Sequence, residues 1–82
     1  MLDDFRIVID MLSKPSALRL VNNFSDRGVD FIDDMSRSLL SSKFYPSKRQ
    51  IAWACRLYVA FIDDSRDSLG VALLDEIGEP LR

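Results

Sequence analysis

Basic side chains gather in the second half of the sequence, around the start of an apolar segment. They are Lys43, Lys48, Arg49 and Arg56. The aromatic residues Phe44 and Tyr45 lie between the first two of these cations. Cations with interleaved aromatic rings are typical of surfaces that contact phosphates, bases or acidic protein segments. The cluster is therefore a candidate site for a nucleic acid or for an acidic partner.

Catalysis has little support among the reactive residue types. The chain has no histidine, which is the commonest general base, and its three isolated glycines do not form a phosphate-binding loop. The single cysteine, Cys55, lies in the most apolar segment, where a thiol has no base to activate it. We interpret Cys55 as a core residue and predict a non-enzymatic protein with no catalytic residue and no cofactor.

Paired aspartates are the candidate metal ligands. They occur at Asp3-Asp4, Asp33-Asp34 and Asp63-Asp64. Adjacent side chains on a helix point in directions about 100° apart, so a pair does not converge on one ion. A calcium loop that began at Asp63 would need glycine and glutamate where the sequence has Ser68 and Leu74. We predict solvated acidic faces and no metal site.

The elements that must position these residues are helices. Apolar residues recur every three or four positions in five segments, which are roughly Leu2–Leu12, Pro15–Arg27, Val29–Ser41, Ser47–Ile62 and Ser65–Ile77. Ser47 and Gln50 have the spacing of a capping box at the start of the fourth segment. That segment is apolar on most sides and leaves a narrow polar strip with Lys48, Arg49 and Arg56. The sequence predicts an all-α fold, a compact bundle of four to five short helices around a central apolar helix at about 47–62.

Several boundaries and buried faces follow from the same pattern. Gly28 is expected to end the second helix with a positive φ. Trp53 is expected to be buried in the core. The fourth and fifth segments are either two helices or one helix kinked at Asp63-Asp64-Ser65. The inward residues expected in the second segment are Ala17, Leu20, Val21 and Phe24, and those in the fifth are Leu69, Ala72, Leu73 and Ile77.

The first helix carries a second candidate surface. Ile7 and Met11 lie four residues apart and point away from the inward stripe, with Asp3 and Asp10 near them. Exposed apolar residues bordered by acids are typical of a small docking surface or a dimer contact. Alternatively, the C-terminal segment covers them.

Length and composition indicate one globular domain, residues 1–82. The chain is 48% hydrophobic and has a net charge of −2, whereas domains that bind nucleic acids are usually basic. A single cysteine excludes an intrachain disulfide, and the longest apolar run is too short to cross a membrane. Asp3 and Asp4 stand where a secretory signal would be basic. We expect a cytoplasmic protein.

Seven residues of the third and fourth segments form a spaced pattern. They are Phe31, Ser38, Leu39, Ser47, Gln50, Trp53 and Leu57. The pattern resembles a helical motif of small bacteriophage and prophage proteins associated with DNA metabolism, with a phenylalanine, a Ser-Leu pair, a turn and Ser-x-Lys-Gln-x-x-Trp. Here Arg49 takes the lysine position, and Phe44-Tyr45-Pro46 replaces the turn that usually contains glycine. The resemblance spans about a third of the chain and implies a phage context, in which small acidic proteins often bind and redirect a host protein.

These observations lead to one leading hypothesis and two alternatives. The leading hypothesis is a non-enzymatic accessory or inhibitor of phage type, located in the host cytoplasm. It would bind a larger machine that handles nucleic acids or serves host defence. A homodimer is also compatible with the sequence. The first alternative is a helix-turn-helix-like module that contacts nucleic acid through Lys48, Arg49 and Arg56, and the second is an enzyme subunit that supplies no catalytic residue.

Overall fold

The computed structural model describes residues 2–62 and 69–79. Over these ranges the chain forms helices and no strand. The helices are α1 (Leu2–Leu12), α2 (Pro15–Phe24), α3 (Asp26–Ser38), α4 (Lys48–Phe61) and α5 (Leu69–Glu76). The predicted all-α fold is confirmed. The predicted start of the fifth helix at Ser65, and the break before it, lie outside the described residues.

A single apolar core joins these helices. α4 contacts α1, α2 and α5, and α1 contacts all four of the other helices, so α1 and α4 together form the centre of the bundle. The large side chains that are fully enclosed come mainly from α1, α4 and α5 and include Phe5, Ile9, Leu12, Ile51, Leu73 and Leu74. Each such side chain stabilises the fold by about 1.5–3 kcal/mol relative to an exposed one. Within the described ranges, no helix has the length and apolar character needed to cross a membrane.

The start of α4 is fixed by side-chain caps. The Oγ of Ser47 accepts a hydrogen bond from the Gln50 amide at 3.1 Å, and the Oε1 of Gln50 accepts one from the Ser47 amide at 2.8 Å. This reciprocal pair is the predicted capping box. It satisfies backbone donors that the first turn of a helix leaves free, and it sets the position of the basic residues that follow.

The boundary between α2 and α3 differs from the prediction. Ser25 has an extended backbone, with φ of −160° and ψ of 122°, and separates the two helices. The predicted role of Gly28 as the end of α2 is therefore wrong. Gly28 lies in the first turn of α3, where a β-carbon would come within 2.7 Å of the Cγ1 of Val21. Close packing between α2 and α3 explains this glycine.

α5 folds back along α4 in the opposite direction. Gly70 lies against the C-terminal half of α4, where a β-carbon would approach the Cγ2 of Val59 at 2.9 Å and the carbonyl oxygen of Cys55 at 3.1 Å. Gly78 lies near the other end of α4, because a β-carbon there would be 3.9 Å from the Nζ of Lys48. The two segments are therefore separate antiparallel helices rather than one kinked helix.

The buried face of α5 is also displaced from the predicted one. Leu73 is buried as predicted, but Leu74 is fully buried as well, although it was not assigned to the inward face. Ala72, predicted to point inward, is exposed. Because Gly70 allows a close approach to α4, the face of α5 centred on Gly70, Leu73 and Leu74 is the one that becomes enclosed.

Candidate binding surfaces

A shallow groove of about 470 Å³ runs along α4 and is closed on one side by the end of α5. We call it the basic groove, and its lining residues are Lys48, Arg49, Ala52, Trp53, Arg56 and Glu79. The lining residues on α4 follow Lys48 by one, four, five and eight positions, so all of them lie on one face of the helix over two turns. The groove thus brings together Lys48, Arg49 and Arg56, as the sequence predicted. Lys43 is exposed in the connector after α3 and does not line it.

Glu79 reaches the groove through the turn that ends α5. Gly78 has a φ of +77°, a value that favours glycine. Its amide donates to the carbonyl of Asp75 at 3.1 Å, and the Glu79 amide donates to the carbonyl of Leu74 at 2.8 Å. This is the hydrogen-bond pattern of a Schellman motif, with Gly78 as the C′ residue. The turn directs the next residue, Glu79, toward α4.

The Glu79 carboxylate faces two of the cations. Its Oε1 lies 4.0 Å from the Nζ of Lys48, and its Oε2 lies 3.9 Å from the Nη2 of Arg56. All three side chains are roughly half exposed. Ion pairs of this length in contact with water contribute at most about 1 kcal/mol. No sequence pattern indicated this contact, because it depends on how α5 packs on α4.

The position of Trp53 corrects a prediction. Its ring stacks on that of Phe31 from α3, with 4.2 Å between centroids and 20° between planes. The side chain is nevertheless 40% exposed, so Trp53 is not a buried core residue. The stack holds the indole at the rim of the core, and its free surface forms an apolar wall of the basic groove. Tryptophan and arginine are the residues most enriched at the energetic centres of protein interfaces.

The surroundings of α4 bear on the helix-turn-helix alternative. In that motif the second helix presents a broad polar face to the groove of the nucleic acid. Here α4 is covered by three other helices, and its exposed residues are Lys48, Arg49, Trp53, Arg56 and Ala60, of which only the three cations are polar. The Glu79 carboxylate borders these cations. A phosphate group approaching the cations would meet this negative charge.

The surface predicted on α1 is present in part. Ile7 is 50% exposed, and Asp3 and Asp10 are exposed beside it. Met11 is only partly exposed and packs against the core, which corrects the expectation that it points away from the inward stripe. The apolar surface here is therefore centred on Ile7 alone.

A larger apolar surface lies on α2, where the sequence predicted a buried stripe. Leu20 is 48% exposed and Phe24 is 75% exposed, so both assignments to the core are wrong. They lie four residues apart and so neighbour each other on the helix, and the Phe24 ring lies 5.8 Å from the ring of Phe61 in α4. We call these three residues the apolar ridge. On α2, Leu18 lies on one side of the buried residues Ala17 and Val21, and Leu20 and Phe24 lie on the other. The neighbouring helices partly enclose the side with Leu18 and leave the other side exposed.

The candidate reactive groups have ordinary structural environments. Burial raises the pKa of the Cys55 thiol to about 11, an effect that the charge of Arg56 partly opposes. The thiol is therefore protonated at neutral pH and packs as a small apolar group. In the described part of the chain, no three acidic, histidine or cysteine side chains are grouped as metal ligands would be. The aspartates Asp63 and Asp64 lie outside that part.

Comparison with known proteins adds no assignment. No protein-family model matches the chain, and neither the curated proteins nor the solved structures contain a significant match.

Proposed function

We propose that this protein acts by binding another protein, as a small non-enzymatic accessory or inhibitor. The observation that carries the proposal is the apolar ridge formed by Leu20, Phe24 and Phe61. Single exposed apolar residues are common on soluble proteins, but contiguous ones mark interaction sites. Covering an exposed phenylalanine with a partner removes apolar surface from water, which drives most protein association.

The composition of the remaining surface supports the same proposal. The basic groove combines an accessible tryptophan with two arginines, and Ile7 adds a further exposed aliphatic side chain on α1. The chain carries a net charge of −2. This overall charge favours a protein partner over a phosphate backbone. A second copy of the chain is also a candidate occupant of the apolar ridge.

The narrower hypothesis of a phage-encoded inhibitor is supported by the motif resemblance. Its aromatic residues, Phe31 and Trp53, form the stacked pair, while Ser47 and Gln50 form the capping box. These contacts give the shared residues a local structural role in the α3–α4 unit. The targets we propose, machines that handle nucleic acids or serve host defence, and a cytoplasmic location rest on the resemblance and on the composition.

The proposal is tested by quantitative affinity capture with matched variants. The tagged wild-type chain and the double variant Leu20→Ser with Phe24→Ser are compared in the same cell extract by mass spectrometry. A second double variant, Asn22→Ser with Asn23→Ser, changes exposed polar positions of the same helix and serves as control. We expect specific proteins to be captured by the wild type and the control, and at least tenfold less by the ridge variant.

Oligomeric state is measured alongside by size-exclusion chromatography with light scattering. If the wild type is a dimer and the ridge variant is a monomer, the partner is a second copy. A ridge variant that keeps both its captured proteins and its mass would contradict the assignment of the ridge. A wild type that captures nothing specific and stays monomeric would contradict protein binding itself.

A further inference from the structure

The basic groove carries a more specific inference, which rests on the proposed protein-binding function. We infer that the groove receives an extended acidic segment of a partner protein, and that Glu79 occupies the cation site until this segment displaces it. The charge of the groove, the spacing of its cations and the exposed surface of Trp53 support this inference.

The charge of the groove is complementary to that of an acidic segment. Lys48, Arg49 and Arg56 provide three positive charges in the groove, and Glu79 provides one negative charge. The groove is therefore positive although the whole chain carries a net charge of −2. A local potential opposite to the overall charge attracts an acidic segment and orients it on the surface.

The contacts of Glu79 with the cations are suited to exchange. Its distances to Lys48 and Arg56 are 4.0 and 3.9 Å, at the outer limit of an ion pair. None of the three side chains is buried. Such pairs are weak and screened by salt. A partner carboxylate placed closer to either cation would therefore replace Glu79 without breaking a buried interaction.

The spacing of the cations suits two acidic residues once Glu79 has left. Lys48 and Arg56 both reach the one Glu79 carboxylate in the structure. Their backbone positions are eight residues apart on α4, about 12 Å along the axis, so the released side chains can each meet a separate carboxylate. In an extended peptide, residues four positions apart are separated by about 13 Å and point to the same side. The residue midway between them points to that side as well. It would therefore meet the middle of the groove, where Ala52 and the exposed part of Trp53 form an apolar surface.

The groove is therefore matched to an acidic-x-apolar-x-acidic segment in extended form. A nucleic acid would also displace Glu79 and stack on Trp53, but the phosphates beyond the groove would lie against a chain of net charge −2. One face of Trp53 is already occupied by Phe31. The observations thus favour the acidic protein segment, and nucleic-acid binding becomes a competing outcome of the test.

The test uses the full chain and a blocked pentapeptide, Glu-Ser-Leu-Ser-Glu, which contains no aromatic residue. Because Trp53 is the only tryptophan, its fluorescence reports binding at the groove directly. We expect a saturable change that weakens as salt is added. The matched peptide Gln-Ser-Leu-Ser-Gln should bind at least fivefold more weakly, since it keeps the size and the leucine but lacks both charges.

Variants separate the roles of the groove residues. Lys48→Ala with Arg49→Ala should weaken peptide binding about fivefold, whereas Glu79→Gln should tighten it about twofold to threefold by removing the internal competitor. Lys43→Ala and Glu76→Gln make the same kinds of charge change outside the groove and should leave the affinity unchanged. Far-UV circular dichroism verifies that each variant keeps its helices.

Several results would overturn the inference. Equal binding of the charged and amide peptides would exclude acidic recognition, and weaker binding by Glu79→Gln would exclude displacement. An oligothymidylate of eight nucleotides that binds more tightly than the peptide, through the same cations, would identify the groove as a nucleic-acid site. If the peptide fails to bind while the apolar ridge still captures a protein, the groove assignment is wrong and the proposed function stands.

Discussion

The indole ring of Trp53 and the phenyl ring of Phe31 lie nearly parallel, with 4.2 Å between their centroids. Phe31 is almost entirely buried, whereas Trp53 is 40% exposed. The pair therefore connects the core of the bundle to the surface of the basic groove. We therefore expect Phe31 to contribute mainly to the stability of the fold, and Trp53 to contribute both to stability and to binding at the groove.

We expect Trp53→Ala to lower the free energy of unfolding by about 2 kcal/mol, which is less than the 3–5 kcal/mol typical of a fully buried aromatic residue. Phe5→Ala is the matched comparison, because Phe5 is completely enclosed and should lie in that higher range. Chemical denaturation followed by circular dichroism measures both values. Equal losses would mean that the outer surface of Trp53 is covered in solution.

The stacking itself should appear as a coupling between Trp53 and Phe31. A double-mutant cycle with Trp53→Leu and Phe31→Leu should give an interaction energy of about 0.5–1.5 kcal/mol. The stability of the four proteins is measured by urea unfolding. If the two substitutions changed the free energy of unfolding by strictly additive amounts, each ring would stabilise the fold only through its own burial and not through stacking.

Gly70→Ala should destabilise the protein by about 1–3 kcal/mol, although alanine is the better helix former by about 1 kcal/mol. The added methyl group would press on Val59, on the Tyr58 ring and on the Cys55 carbonyl. Adding Val59→Ala should recover part of the loss, because it removes one of the three contacts. A Gly70→Ala protein with a higher melting temperature than the wild type would contradict the close packing of α4 and α5.

Ser47→Ala should cost about 1 kcal/mol of stability, since it removes the side-chain acceptor that caps α4. Ser42→Ala, at an exposed position of the preceding connector, should change stability by less than about 0.5 kcal/mol. Thermal unfolding of the two variants provides the comparison. Similar effects from both serines would mean that the cap does not persist in solution.

The raised pKa of Cys55 predicts a loss of stability at alkaline pH. The thiol has a pKa of about 11 in the fold, raised from an ordinary value of 9.0. Between these values the folded state holds a proton that the unfolded state releases, so the free energy of unfolding falls as pH rises. The stability that the protonated thiol contributes is fully present below about pH 9 and is lost as the pH rises to about 11.

The measurement compares wild type with Cys55→Ala across this range. Other groups titrate in both proteins, so the difference between the two curves isolates the thiol. We expect the stability advantage of the wild type over the variant to shrink by about 2–3 kcal/mol from pH 8 to pH 11. Parallel curves would show that the thiol ionises as readily in the fold as in the unfolded chain.

Periodicity and capping were sufficient to predict the number of helices, but not the boundary between α2 and α3. The spacing of apolar residues located α1 and α4, and the Ser47–Gln50 pair located the start of α4. Exposure was harder to predict, because a stripe such as Ala17–Leu20–Val21–Phe24 does not say how much of its arc the neighbouring helices enclose. α2 buries Ala17 and Val21 and leaves Leu20 and Phe24 accessible.

The sequence predicted only the part of the basic groove that lies on a single helix. Lys48, Arg49 and Arg56 share a face of α4, so helical geometry alone brings them together. Glu79 comes from the turn after a different helix, and its contact with α4 depends on the close approach at Gly70. Contacts between elements are set by packing, which periodicity does not encode.

The packing of α4 and α5 on α1 affects the order in which the fold forms during synthesis. α1 is translated before both of these helices, and both contact it. Part of the apolar face of α1 therefore stays uncovered until α4 and α5 have been translated. An acidic first turn with Asp3 and Asp4 keeps that waiting helix charged, which disfavours aggregation at this stage.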